Sequence, residues 1–423
     1  MNRSSGDGRR RFCARLTRML PALAAPFPLG RPAGAAEPRS EMRPADSRPD
    51  SRPDSRPDSR PGSRPEPGVT PNAIVIGQSA PFTGPAAELG TQLNLGARLC
   101  FDQINRQGGI LGRTIELHAL DDAYVPDEAL RNTRKLIVDG TFALFGYVGT
   151  STTLAALPLM EQARIPLFAP FTGSRTLREP GSRQVFHVRA GYDRETAAIV
   201  RQIASSGLRR LAVVHYDDTF GQEGLDGIAR AVQASTPDHL RITGRHTVAR
   251  HALDVSATAA AVLEQEPDSI VVIGAYGTAA AIIREALRRG YAGQFYCLSS
   301  VGALSLARAL GAQAAGVVVS QVMPSPSNAK LPLVRDYHRL LKAAGKDGAY
   351  SDTSLEGFIA ALAFAEGLRR AGRDPTRDKF IAAIEGMRAT DLGGFHLQFS
   401  PDDHVGSKFV ELAVLNARGQ AIR

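Results

Sequence analysis

Residues 73–122 read AIVIGQSAPFTGPAAELGTQLNLGARLCFDQINRQGGILGRTIELHALDD, and this stretch decides the fold. It opens on Ala73-Ile74-Val75-Ile76-Gly77, a short apolar run of the kind that fills a buried strand. Leu93, Ala97, Cys100, Phe101 and Ile104 then recur at helical spacing, and Gly108-Gly109 stops the helix. Thr114 to Leu120 alternates as a second strand and ends on Asp121-Asp122. Strand, helix and strand in succession are the repeating unit of a parallel sheet.

The alternation continues along the chain. Pro126 opens a helix through Leu130 and Ile137. Strands are expected at 143–146, 165–169, 211–216, 269–274 and 294–298, each followed by helical periodicity. Longer helices are expected from Leu331 to Ala343 and from Leu355 to Ala371, the latter opened by Thr353-x-x-Glu356 read as a capping box. Phe395 to Phe399 and Phe409 to Leu415 read as closing strands. The fold class is α/β, with parallel sheets covered by helices on both faces.

A chain of 423 residues suits two domains of ordinary size plus an atypical N-terminal segment. Apolar residues make up 43% and charged residues 22%, a globular profile, and no apolar run is long enough to span a bilayer. The net charge of +9 is concentrated outside the folded part: residues 1–70 hold 14 Arg, no Lys and 8 acids. The remainder carries +3 without a clustered basic face, which argues against nucleic acid as a partner.

Arg9-Arg10-Arg11-Phe12, the mostly apolar stretch from Met19 to Leu29 and the run Ala33-Gly34-Ala35-Ala36 together read as an export signal over 1–36. Its Arg-Arg-x-Phe resembles a twin-arginine signal. A linker follows over 37–71, where Ser-Arg-Pro-Asp repeats between Ser47 and Glu66. A proline every four residues blocks helix, and no apolar side chain is present to offset the ordering entropy, so this segment is expected to be a disordered tether. Cys13, Cys100 and Cys297 form neither a CxxC pair nor a zinc spacing. Cys100 falls on an apolar helix face as a buried thiol, and its pairing with Cys297 stays open in an exported chain.

Enzyme chemistry finds no footing. There is no phosphate loop, no GxGxxG after the first strand, no HExxH and no GxSxG. His215 sits inside an apolar strand, and Asp121-Asp122 and Asp217-Asp218 follow strands where turn and capping duties account for an Asp. Neither a metal nor a cofactor is expected. The loops beyond the strand ends, where parallel sheets hold ligands, contain instead hydroxyls, glycines and aromatics. Gly149-Thr150-Ser151-Thr152 leads into one helix, and Phe171-Thr172-Gly173-Ser174 repeats the recipe after the next strand. Hydroxyls beside free backbone donors suit a carboxylate or similar oxygen group. Tyr192, Phe220 and Tyr276 stand near strand ends as an opposing wall.

The order of these motifs resembles the leucine/isoleucine/valine-binding protein family, the periplasmic receptors of ABC importers. The resemblance runs from about Ala73 to the C-terminus and rests on several short markers. They are Ile76 to Gly84, Ile104 to Arg113, Asp121-Asp122, Gly149 to Thr152, Ile165-Pro166, Pro170 to Gly173, Phe220 to Gly224 and Leu355 to Phe358. It implies two Rossmann-like lobes joined by a three-crossing hinge, the type I periplasmic-binding fold. The lobes would comprise 72–192 with 323–395, and 193–322 with 396–423. It further implies that Ser151, Thr152, Phe171, Thr172 and Gly173 hold a ligand carboxylate, while Tyr192, Asp193, Phe220 and Tyr276 form the other wall. The family's acid after a late strand is missing from Leu298-Ser299-Ser300-Val301-Gly302. Either Asp193 replaces it or the ligand lacks an ammonium group, since a buried unpaired charge is costly. The implied role is a periplasmic solute receptor for a branched-chain or other amino acid, an amide or an organic acid. Its partner would be an ABC transporter permease in the inner membrane. A ligand sensor of the same fold is the rival reading, and an enzyme of unfamiliar type a more distant one.

Overall fold

The computed structural model describes residues 66–179, 183–235, 240–250, 252 and 254–423, which lie within one unit, Ser63–Arg423. The export signal and the repeat linker up to residue 65 lie outside the described residues. In the first lobe the chain runs β1 (Ala73–Ala80), α1 (Ala87–Arg106), β2 (Thr114–Asp121), α2 (Pro126–Val138), β3 (Ala143–Phe145), α3 (Thr150–Gln162), β4 (Leu167–Phe168) and β5 (Val185–Phe186). These five strands form a parallel sheet in the order β2-β1-β3-β4-β5.

The chain then crosses to a second lobe. It contains α4 (Tyr192–Ser205), β6 (Arg210–Tyr216), α5 (Thr219–Gln233), β7 (Arg241–Val248), α6 (Ser256–Leu263), β8 (Ser269–Ile273), α7 (Tyr276–Arg288), β9 (Gln294–Cys297), α8 (Ala303–Leu310) and β10 (Val318–Gln321). It returns through Val322 and Met323, which pack in the first lobe's core, to α9 (Pro332–Ala343), α10 (Asp352–Ala371), α11 (Arg377–Glu385), β11 (Thr390–Asp391) and β12 (His396–Leu397). A last crossing delivers β13 (Glu411–Leu415) and β14 (Ala421–Ile422) to the second sheet, whose order is β14-β13-β10-β9-β8-β6-β7. The fold is the two-lobed α/β architecture expected of the sequence.

Four details differ from the sequence reading. The second sheet is mixed, because β13 runs antiparallel to β10 and β14 antiparallel to β13. Periodicity reports which faces are buried and is blind to strand direction. The folded chain starts by Glu66 rather than at Asn72: Val75 N donates to Gly68 O at 2.8 Å, and Glu66 stands 3.7 Å from Arg377. Residues 396–410 belong with the first lobe, not the second, since Leu397 and Phe399 are buried in its core and Val405 bridges to His187. Finally, Thr353 and Glu356 are no capping box. Ser351 is the N-cap of α10, its Oγ accepting from Ser354 N at 3.0 Å, and Glu356 has another task.

The first lobe's core is aromatic. Phe364 on α10 lies 5.8 Å from Phe145, 5.6 Å from Phe168 and 4.8 Å from Phe380, and Phe399 lies 6.1 Å from Phe186. Residues far apart in sequence thus clamp sheet, α10 and α11 together, largely in edge-to-face contacts. Phe364→Ala is expected to cost about 3–5 kcal/mol, because the neighbouring rings fill the lost volume only in part. Urea unfolding of the variant against the wild type measures it.

Candidate functional site

The C-terminal ends of β3 and β4 carry the two loops singled out by sequence. Gly149 takes φ 99° and launches α3, and the hydroxyls of Thr150 and Thr172 come to 2.6 Å of one another. Tyr192 OH completes the cluster at 3.2 Å from Thr150 and 3.3 Å from Thr172. Glycine is required where the rings press in. A Cβ on Gly173 would stand 2.3 Å from the Tyr192 ring, and one on Gly149 2.5 Å from the Tyr124 ring. Ser151 Oγ, one residue into α3, is buried with no hydrogen-bond partner among the described residues.

The second lobe answers with aromatics. Phe220, at the start of α5, packs 5.4 Å from Tyr192 and 6.2 Å from Tyr216, whose hydroxyl lies 3.1 Å from Thr278 Oγ1. Arg250 stands over the Tyr124 ring, 4.6 Å from its centroid, donates to Tyr124 O at 2.8 Å and pairs with Asp218. Tyr276 is half-buried at the start of α7, its phenol pushed up by burial and drawn partly back by the Glu88 backbone of the first lobe.

Beneath these loops lies a charged centre that sequence reasoning missed. Arg189, on the segment after β5 that leaves the first lobe, is 1% exposed. Its guanidinium stands 3.8 Å from Glu195 on α4 and 3.5 Å from Glu356 on α10, an ion pair with one carboxylate from each lobe and a hydrogen bond to neither. It also donates to Ser299 Oγ and lies 4.4 Å from the Phe171 ring centroid. Glu195 in turn accepts from Ser299 N at 2.9 Å and Ser320 Oγ at 2.6 Å. The space between the lobes here is about 10 Å³, lined by Phe171, Ser299, Gln321 and Glu356 among others, room for about one water-sized group. A far larger groove of about 1200 Å³ runs past Phe395 and Phe409, away from the strand ends, and is not the site they define.

The residues singled out by sequence therefore divide. Thr172, Gly173, Tyr192, Phe220 and Phe171 converge between the lobes, and Ser151 borders them. Thr152 does not: its hydroxyl donates to Val148 O and Gly149 O inside its own helix turn. Asp193 does not either. It is half exposed and pairs at 2.5 Å with Arg230 on the surface, which removes it as a substitute for the acid missing from 298–302. The acid at that loop is Glu195, three positions from Tyr192 and so on the helix's inner face, where Asp193, one position away, is not. Asp122 is turned to structure, accepting from Ser79 Oγ at 2.7 Å and Tyr124 N at 2.9 Å. Among the described residues no group of three or more His, Cys, Asp or Glu is placed to hold a metal ion. Cys100 and Cys297 are free thiols.

Two α/β lobes tied by three crossings, with hydroxyls and aromatics meeting at the facing strand ends, define a two-lobed solute-binding protein. The chain belongs to the periplasmic binding protein family, whose profile matches residues 73–420. It is 26% identical to the leucine-specific-binding protein of Salmonella typhimurium over 241 residues, 56% of this chain and 64% of that one. It is 28% identical to a Leu/Ile/Val-binding protein of Rhizobium johnstonii over 164 residues, 38% of this chain. The chain thus spans 43% to 64% of the length of these relatives. Among solved structures, a possible leucine/isoleucine/valine-binding protein from Rhodopirellula baltica superposes with a TM-score of 0.78 at 30% identity, covering 83% of this chain and 96% of that one. A substrate-binding periplasmic protein from Ralstonia solanacearum gives 0.77 at 33%, covering 82% and 99%. No helix of the described residues is long and apolar enough to cross a membrane.

Burial, opposed by Arg189 and reinforced by Glu195, raises the Glu356 carboxyl from 4.5 to about 7. The folded protein therefore keeps a proton that the unfolded chain releases. The stability this contributes is complete below pH 4.5 and is lost as pH rises through about 7. Glu356→Gln is expected to flatten the fall in Tm between those two values, as a melting series across pH will show.

Proposed function

We propose that this protein captures a small polar organic solute, a branched-chain or other amino acid, an amide or an organic acid, between its lobes and presents it to an ABC importer. The observation that carries the reading is the hydroxyl cluster of Thr150, Thr172 and Tyr192 at the N-terminus of α3. In the described state these hydroxyls bond to one another; each has donor and acceptor capacity to redirect toward a ligand oxygen. The α3 backbone donors add a favourable field for negative charge. Tyr192, Phe220 and Tyr216 supply apolar walls.

Glu195 and Glu356 give the reading its second half. With one guanidinium between two carboxylates, the charged centre has an acid in excess when both are ionised. A ligand ammonium close to this centre would be favoured, which restores amino acids as ligands without Asp193. Capture between lobes implies hinge closure, with delivery to a permease recognising the closed form, and an extracytoplasmic location.

Melting shifts of the full chain, stripped of bound solute by reversible unfolding, test this against branched and aromatic amino acids, short amides and aromatic carboxylates. A ligand at about a thousandfold over its Kd adds roughly 4 kcal/mol. A shift with leucine-like compounds supports the amino-acid reading. A shift with acids or amides alone removes the ammonium from it, and no shift with any carboxylate or amide defeats it. Thr150→Val is expected to weaken the responsive ligand by about tenfold or more, a lost hydrogen bond to a charged group being worth roughly 1.5–3 kcal/mol.

A further inference from the structure

Contacts across the cleft are not confined to the site. On α5 of the second lobe, one turn beyond Phe220, the Glu223 carboxylate faces the first-lobe loop that follows Gly173. It accepts from Ser174 Oγ at 2.8 Å, Arg175 N at 2.8 Å, Thr176 N at 3.3 Å and Thr176 Oγ1 at 2.7 Å. Arg250 makes a lighter crossing to Tyr124 O, and Arg308 stands 3.9 Å from Glu88.

We propose that Glu223 is a positioning residue that latches the lobes shut, gripping the ligand loop without touching ligand. Both backbone donors belong to the first turn of a short helix at 176–178 or the residue before it, where no partner inside the turn is available. The carboxylate supplies that partner from the opposite lobe. Opening the cleft hands all four donors and the carboxylate back to water, so these bonds exist in the closed state alone and weight it.

The grip reaches the site through the loop itself. Ser174 N donates to Thr172 Oγ1 at 3.1 Å, and Arg178 donates to Ser174 O at 2.6 Å, Thr172 O at 3.0 Å and Arg189 O at 3.2 Å. The latched segment is thereby continuous with the hydroxyl cluster on one side and the crossing segment at Arg189 on the other. Phe220 and Glu223, three positions apart on α5, carry the apolar and the ionic contact on the same helix face.

The inference rests on the reading that the lobes open and close, and its test is separable from solute identity. Spin labels at Asp127→Cys on α2 and Gln202→Cys on α4, in a full chain carrying Cys13→Ser, report the interlobe distance. Cys100 and Cys297 are buried and stay unlabelled. Distances are recorded without additive and with L-leucine, for the parent and for Glu223→Gln, Glu223→Ala and Glu223→Asp. The closed-to-open ratio is expected to fall about tenfold or more in the Gln and Ala variants and to recover in part with Asp. Tm and circular dichroism check that each variant is folded; should the Ala variant fail to fold, the Gln variant decides. Equal closed fractions in parent and Gln variant under both conditions would overturn the latch, as would a parent with no closed population in either. A melting panel without any responsive ligand, beside a Glu223-dependent distance, would defeat the proposed solute and leave the latch standing.

Discussion

Everything between the lobes is arranged around one buried guanidinium. Arg189 sits on the segment that crosses from β5 to α4, and its two carboxylate partners come from opposite lobes, Glu195 from α4 and Glu356 from α10. A buried cation is tolerated only with such partners, and losing one leaves a charge stranded at a cost of about 3–5 kcal/mol. The pairing therefore constrains geometry more than it adds stability. It fixes where α4 and α10 stand relative to the crossing segment, and Glu195 extends that constraint to Ser299 and Ser320 in the second lobe.

The site is layered on this base. Phe171 lies against Arg189, the hydroxyl cluster lies beside Phe171, and the Tyr192 and Phe220 rings close over it. Thr150 and Thr172 pair within the first lobe, whereas Tyr192 OH, the Phe220 ring and the Arg189–Ser299 bond are contributed across the cleft, so only part of the site is completed when the lobes meet. That dependence suits a receptor whose two states must differ sharply, because packed interfaces shift between discrete arrangements rather than deforming smoothly.

The fold was legible because burial imposes periodicity on sequence. Strands such as Ser269–Ile273, buried along their whole length, and helices such as α1, buried on one face, announce themselves. The loops at 149–152 and 171–174 were legible because parallel sheets put ligands beyond strand ends. What escaped were residues whose partners are distant in sequence. Thr353 and Glu356 have the spacing of a capping box, and only the fold shows that Ser351 caps the helix and that Glu356 reaches Arg189, 167 positions earlier. Arg189 itself carried only a weak signal, a charge just past the buried pair Val185 and Phe186, and the sequence says nothing of what such a charge meets. Asp193 and Glu195 were separable in principle by helical position, had the buried face of α4 been known. The direction of β13 left no trace in the pattern at all.

The two thiols that lie in separate cores have a use of their own. Cys100 packs in the first lobe and Cys297 in the second, each with its thiol pushed up to about 12 by burial. Held as neutral thiols away from solvent, they are poor nucleophiles toward oxidants and toward one another. An oxidant in solution thus meets no exposed thiol among the described residues. Each thiol would react only when its own core opens to solvent, so the rate at which each is modified would report the opening of the core around it.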